Sequence, residues 1–372
     1  MEKWVFVKVL GQGSDGVVWL AKQTIRRKIG RNLHYYFAVK LSPLRHNSSL
    51  LWEEQVLKQF KNCPEIVQYL GSEITRGGDL PQDKDFYTLK LEYAAGGTLD
   101  DLIKQKEKLP ENEVKDYLRM ILKGLSCVHS KGFVHVDLKP NNILAFPQSD
   151  GKMKLKIADF GHAERCKLYR NDDDDDDDQD RKYGGYCSSL KFKGTPRYMS
   201  PESIVCNEVN DAHDIWSLGC VLVKMISGKS VWDDLIDSRQ LMMRLLDNKN
   251  YNMPTIPKEL SKQGKDFIKK CFIRNCKQRW TADMLLQHPY LVHEENEAAT
   301  TVKDDDQMPT TLAKALSLSR QRPLKSQTRS SNNNNNNNRK FNLRAKNYLL
   351  PLLDSINISF HSINKRTKCK FT

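Results

Sequence analysis

Asp137, Lys139 and Asn142 lie close together in the run HVDLKPNN, and Asp159 follows in KIADFG. An aspartate can accept a hydroxyl proton and orient the attacking oxygen, and a lysine two positions on can place positive charge beside a transferring phosphate. Asn142 and Asp159 offer the hard oxygen donors that magnesium requires. Singly, each has an ordinary structural reading: a helix cap for Asp137 or Asp159, a turn for Asn142, a surface base for Lys139. Together they suit phosphoryl transfer, which depends on positioning and charge neutralisation more than on covalent help.

Gly11, Gly13 and Gly16 supply a G-x-G-x-x-G pattern in GQGSDG. Glycine there lets a phosphate approach the backbone, yet the same letters open dinucleotide-binding folds. In such a fold the glycines begin a helix and an acid about 20 residues later holds the ribose. Here they lead into the strand-like VVWLAK, and no Asp or Glu occurs between Gly16 and Glu53. A G-x-x-x-x-G-K-[ST] loop is also absent. The strand-like FAVK then ends on Lys40, and a helix beginning near Ser48 carries Glu53 and Glu54. A lysine so placed can hold phosphates while an acid on the next helix fixes it. Glu53, with Leu57 one turn later on the same face, is the expected partner, and Glu54 is expected to be a solvated helix acid.

The elements that must position these groups change character along the chain. WVFVKVL, GVVWLAK, YYFAVKL and FYTLKLEY are short, β-branched and aromatic, as strands are. After Gly97 the apolar spacing is helical, through Leu99, Leu102 and Ile103 and then Val114, Leu118, Met120, Ile121, Leu122 and Leu125. A small sheet-rich lobe of about residues 1–94 followed by a helical lobe of about 95–294 is the expected α+β, two-lobed architecture. Two runs cannot join a core: Asp172 to Asp178, read as an acidic insertion over about 171–180, and Asn332 to Asn338, inside a basic tail of 295–372 expected to be disordered.

The net charge of +14 belongs mostly to that tail. Residues 320–372 hold 12 Lys+Arg against the single acid Asp354, whereas residues 1–319 hold 48 bases and 45 acids. A nearly neutral body without a reading module argues against nucleic-acid binding. No apolar run is long enough for a membrane span, and MEKWVFVKVL is not expected to be a secretory signal. The nine cysteines show no C-x-x-C pair, so reduced thiols in a cytoplasmic or nuclear protein are expected, with Cys271 and Cys276 as helix residues.

The ordered strings HVDLKPNN, KIADFG and GTPRYMSPE, with the glycine loop and FAVK before them, resemble the eukaryotic protein kinase family over about residues 4–292. Lys139 and GTPRYMSPE look like the serine/threonine type, and KGTPRYMSPE with AAGGTLDDLI is similar to plant mitogen-activated protein kinase kinase kinases. The resemblance implies ATP and magnesium as cofactors and a protein substrate, such as a mitogen-activated protein kinase kinase. It implies Asp137 and Lys139 as catalytic residues and Asn142 and Asp159 as metal ligands. It places the nucleotide against Leu10, Gly11, Gly13, Gly16, Val18, Ala38, Lys40, Glu53 and Leu144, with Glu92 and Ala94 in a hinge that meets adenine through its backbone. Leu91 would guard the deeper pocket, Glu202 and Arg279 would form a buried ion pair, and Asp214 would brace the catalytic loop.

Val136 stands where many family members carry an arginine that pairs with an activation-segment phosphate. Activity is therefore expected not to need that phosphate in the usual way. A catalytically silent scaffold is the alternative reading, disfavoured because Lys40, Asp137 and Asp159 are all present. A small-molecule kinase is disfavoured by the Gly194 to Glu202 string, which resembles a platform for peptides. The tail segment NYLLPLLDSINISFHSI, flanked by bases, is a candidate docking segment for a partner.

Overall fold

The structure, a computed structural model, describes residues 4–13, 16–25, 31–76, 85–166, 194–206, 209–233, 238–246 and 253–292. The acidic run, the asparagine run and the candidate docking segment lie outside them. The described residues all belong to the unit Met1–Val292.

Five antiparallel strands form the first layer: β1 (Trp4–Gly13), β2 (Gly16–Ile25), β3 (Leu33–Pro43), β4 (Tyr69–Thr75) and β5 (Phe86–Glu92), in the order β1-β2-β3-β5-β4. Alternation puts Ala21, Phe37, Val39 and Leu41 into one buried cluster, flanked by Trp4, Phe6, Trp19 and Phe86. Trp4 meets Phe6 edge-on at 4.8 Å between ring centres, and Phe6 lies 5.2 Å from Trp19. β4 goes unflagged by the sequence pattern because its large apolar residues, Leu70 and Ile74, face solvent.

The three glycines of the loop have different reasons to be glycine. A Cβ on Gly11 or Gly13 would meet nothing, so their backbone is open for a ligand to approach. Gly16 has φ of +134°, and a Cβ there would overlap the carbonyl of Leu41 on β3. Gly16→Ala is expected to cost about 2–3 kcal/mol or more in a urea unfolding titration, whereas Gly11→Ala should leave the unfolding midpoint unchanged.

The helix α1 (Ser48–Gln59) lies against β4 and β5 and buries Leu50, Val56 and Leu57. The second layer begins with α2 (Leu99–Lys106), which Thr98 and Asp101 start with a reciprocal capping box. The long α3 (Glu111–Ser130) buries Val114, Tyr117, Leu118, Ile121, Leu122, Leu125 and Val128, a stripe at helical spacing. Gly124 lets α3 come close to the short pair β7 (Ile143–Pro147) and β8 (Met153–Ile157), since a Cβ there would sit 2.8 Å from the Ile157 side chain. β6 (Phe133–Val134) and β9 (Glu164–Arg165) form a further pair. Next come α4 (Pro201–Cys206) and α5 (Asp211–Ser227), the latter buried over most of its surface. α6 (Ser238–Leu246), α7 (Lys262–Cys271) and α8 (Ala282–Leu286) complete the described helices. No helix among the described residues is long and apolar enough to cross a membrane.

Two expectations about cysteine need correction. Cys63 and Cys127 are paired as a disulfide, their Cα atoms 6.8 Å apart, so these thiols are not free. A separation of 64 residues hides such a pair from any spacing rule. Cys271 ends α7 as expected, but Cys276 lies in the turn that follows rather than in a helix.

Candidate active site

The strand register carries the first half of the site. Val18 lies opposite Gly11 on β1 and Lys40 on β3, and Ala38 lies opposite Leu91 on β5. Leu10 sits at the irregularity between Val9 and Gly11 and is more exposed than the others. Glu92 ends β5 with its carboxylate already committed, to Lys156 at 2.6 and 2.7 Å and to the Gln68 amide at 2.8 Å. Its amide donates to the Gln68 carbonyl at 3.1 Å, which leaves its backbone carbonyl to offer a ligand. The Ala94 carbonyl accepts from the Gly97 amide at 3.2 Å, and the Ala94 amide makes no bond among the described residues. Leu144, on β7, bridges back to Thr98 beneath this hinge.

Lys40 is buried, and its ammonium donates to Glu53 at 2.8 Å and to Asp159 at 2.7 Å. Burial alone would lower the pKa of this lysine, but the two carboxylates hold it above the usual ammonium range. Burial opposes ionisation of Asp159 as well, and Lys40 outweighs it, so the carboxyl stays below its ordinary value. Asp159 adopts a left-handed backbone with φ of +67°, rare for a residue with a Cβ. The Phe160 amide that follows donates to Glu53 at 3.3 Å. Phe160 is buried against Phe60 at 5.5 Å and His135 at 4.9 Å, which anchors the turn carrying Asp159.

Glu53 is thus the partner of Lys40, as expected. Glu54 is not a solvated acid: it is 7% exposed and accepts hydrogen bonds from Tyr69, Ser72 and Tyr87. Donors on β4 and β5, distant in sequence, override the prior that an unpaired helix acid faces water.

The second half of the site centres on Asp137. Its Oδ1 accepts from the Thr195 amide at 2.8 Å and the Thr195 hydroxyl at 2.7 Å. Its Oδ2 accepts from Lys139 at 2.6 Å and the Asn142 amide at 3.1 Å. Lys139 also reaches the Thr195 hydroxyl at 2.9 Å. Sequence reasoning passed over Thr195 as a site residue, although it stands inside the GTPRYMSPE string. Gly194 before it has φ of +98°, and a Cβ there would come within 2.9 Å of the Val136 carbonyl.

The loop that presents Asp137 is strained at Val136, a β-branched residue with φ of +72°. Asp214 on α5 holds it, accepting from the amides of His135 at 2.8 Å and Val136 at 3.0 Å and from the His129 ring at 2.9 Å. Burial pushes the Asp214 carboxyl up, but the His129 hydrogen bond and the neighbouring histidines bring it below the ordinary range. His213 donates to the Val136 carbonyl at 2.8 Å. The Val136 side chain packs with Val134 and Cys166, and with Val209 at the edge, so its surroundings are apolar.

Arg279 ties α4 to the helical layer, donating to Glu202 at 2.6 and 3.0 Å and to the carbonyls of Ala212, Ile273 and Arg274. Its guanidinium also lies 5.1 Å from the Trp216 ring centre.

The known proteins most relevant to this geometry are protein kinases. A profile described as the protein kinase domain matches residues 4–291. Mitogen-activated protein kinase kinase kinase 20 of Arabidopsis thaliana is 36% identical over 314 residues, 82% of this chain and 84% of that protein. Kinase kinase kinase 17 of the same plant is 33% identical, covering 78% of this chain and 69% of its own length. Kinase kinase kinase A of Dictyostelium discoideum is 30% identical over 83% of this chain, but that stretch is only 29% of the Dictyostelium protein. The chain belongs to the eukaryotic protein kinase family, of the ATP-dependent serine/threonine type and similar to plant mitogen-activated protein kinase kinase kinases.

Proposed function

We propose that this kinase uses magnesium and ATP to phosphorylate serine or threonine in a mitogen-activated protein kinase kinase. The observation that carries the chemistry is the convergence of Lys139, Thr195 and Asn142 on the Asp137 carboxylate, with the part-buried Lys40–Asp159 pair as a separate cluster. The names of the relatives support the substrate class.

The donor set fits a hard divalent cation. The Asn142 amide nitrogen is committed to the Asp137 carbonyl and carboxylate, which leaves its oxygen to offer. Asp159 gives one oxygen to Lys40 and is 32% exposed through its side chain, so another oxygen remains. Magnesium-bound ATP supplies the neutralised phosphoryl group. Lys40, held charged by Glu53, is the cation that meets the phosphates. Asp137 orients the substrate hydroxyl and takes its proton at a carboxylate oxygen, while Thr195 keeps that carboxylate in place. Lys139 keeps positive charge beside the transferred group. All four lone-pair directions of Asp137 are engaged without substrate, so the incoming hydroxyl must displace a bond from Thr195, Lys139 or Asn142.

The direct test is phosphate transfer from ATP and magnesium to a catalytically inactive mitogen-activated protein kinase kinase, with the phosphorylated residue type identified. The full chain should label serine or threonine, and Lys40→Met should reduce labelling at least about 100-fold. Equal labelling by both would leave a silent scaffold as the better reading. Treating the enzyme with phosphatase beforehand should leave its activity intact, because Val136 offers a phosphate nothing to bind.

A further inference from the structure

α1 presents two adjacent acids, and only Glu53 enters the catalytic cluster. Consecutive helical residues point about 100° apart, so Glu54 turns to the sheet. There its carboxylate accepts from Tyr69 at 2.7 Å, Ser72 at 2.7 Å and Tyr87, while Lys58 pairs with it at 2.8 Å from one turn along α1. Tyr69 and Ser72 stand on β4 and Tyr87 on β5.

A buried carboxylate is costly to maintain unless its lone pairs are filled. Here burial pushes the acid up, but Lys58, Tyr87, Tyr69 and Ser72 together bring it down to about 2. It remains an anion throughout the pH range in which the enzyme would work. The phosphoryl-transfer chemistry makes no use of this charge, which lies about 100° around α1 from Glu53. Its three hydroxyl partners share one property: they are fixed to the sheet that also carries Lys40.

We propose that Glu54 is a positioning residue, a polar latch through which the hydroxyls of β4 and β5 set the rotation of α1 so that Glu53 reaches Lys40. The apolar contacts of α1, through Leu50, Val56 and Leu57, are non-directional and tolerate rotation of the helix. Directional hydrogen bonds to a rigid sheet do not. Because the two acids are neighbours on one helix, a rotation that frees Glu54 necessarily moves Glu53 away from Lys40. The inference rests on the kinase reading for its catalytic consequence, but the position of α1 can be measured without it.

Trp52 is the reporter, since its indole on α1 donates to the Ala163 carbonyl at 2.7 Å. The full chain would be labelled with fluorotryptophan and the Trp52 resonance identified by its loss in Trp52→Phe. In Glu54→Gln, and separately in Tyr87→Phe, which keeps the ring and removes one donor, that resonance should move or broaden. The resonances of Trp216 and Trp232 should not. The kcat/KM for ATP should fall about 10-fold in Glu54→Gln, yet less than about twofold when the same change is made in a Glu53→Gln background. An unmoved Trp52 signal in both variants, or an equal loss of activity in both backgrounds, would overturn the latch. If the wild-type chain transferred no phosphate, the kinase reading would fail, and the fluorine spectra would still decide whether Glu54 sets the helix.

Discussion

Asp137→Asn is expected to lower kcat by about 10³-fold while leaving the KM for ATP within about twofold. The substitution preserves shape and one acceptor oxygen, so the bonds from the Thr195 amide and hydroxyl to Oδ1 can persist. It removes the group able to take a proton, and it turns an N–H toward Lys139, which now has no acceptor there. Neither change touches Lys40, Ala94 or the glycine loop, which is why nucleotide binding should survive. Steady-state kinetics with ATP varied at saturating protein substrate separates the two parameters. A variant that kept its kcat would remove Asp137 from the chemistry, whereas a large rise in KM alone would make it part of the nucleotide site. The magnitude comes from the usual contribution of a positioned base, about 10²–10⁴-fold.

The residues of this site were legible because their spacing is short and their chemistry uncommon. Asp137, Lys139 and Asn142 share one loop, and Lys40 ends an apolar strand, so local sequence carried most of what was needed. What stayed hidden lay in groups brought together from afar. Glu54 looked like a solvent-facing acid because two of its three hydroxyl partners sit on β4, whose apolar residues face water and leave no strand pattern. The Cys63–Cys127 pair was hidden by the same kind of distance. Val136 shows a different limit. Its identity stands out where the resemblance expects an arginine, but a β-branched residue argues against a left-handed backbone, and the structure imposes one at +72°. The conformation is set by Asp214 and His213 on α5, which grip the amide and the carbonyl of the same residue. A local preference is overridden where functional geometry requires it, and the restraint comes from another layer of the fold.

Arg279→Met is expected to destabilise the protein by about 3–5 kcal/mol, because it leaves the Glu202 carboxylate buried without its counter-ion. Both residues are under 10% exposed, so water cannot replace the lost donors. The double variant Arg279→Met with Glu202→Leu should regain part of this loss but not all of it. Removing both charges eliminates the stranded anion, yet the carbonyls of Ala212, Ile273 and Arg274 lose their donor in either variant. Urea unfolding of the two variants therefore separates the ion pair from the backbone bonds that Arg279 also makes. The pH dependence supplies an independent check. Burial raises the Glu202 carboxyl, but Arg279 outweighs it and holds the group below its ordinary value of 4.5. A depressed folded-state pKa contributes stability that is complete above that value and is lost as pH falls through the folded one. Wild type should thus lose this contribution in acid, while the double variant, with no carboxyl to titrate, should show a flatter profile below pH 4.5. Parallel profiles would mean that the pair contributes nothing net, and that the cost of Arg279→Met lies in the three carbonyls.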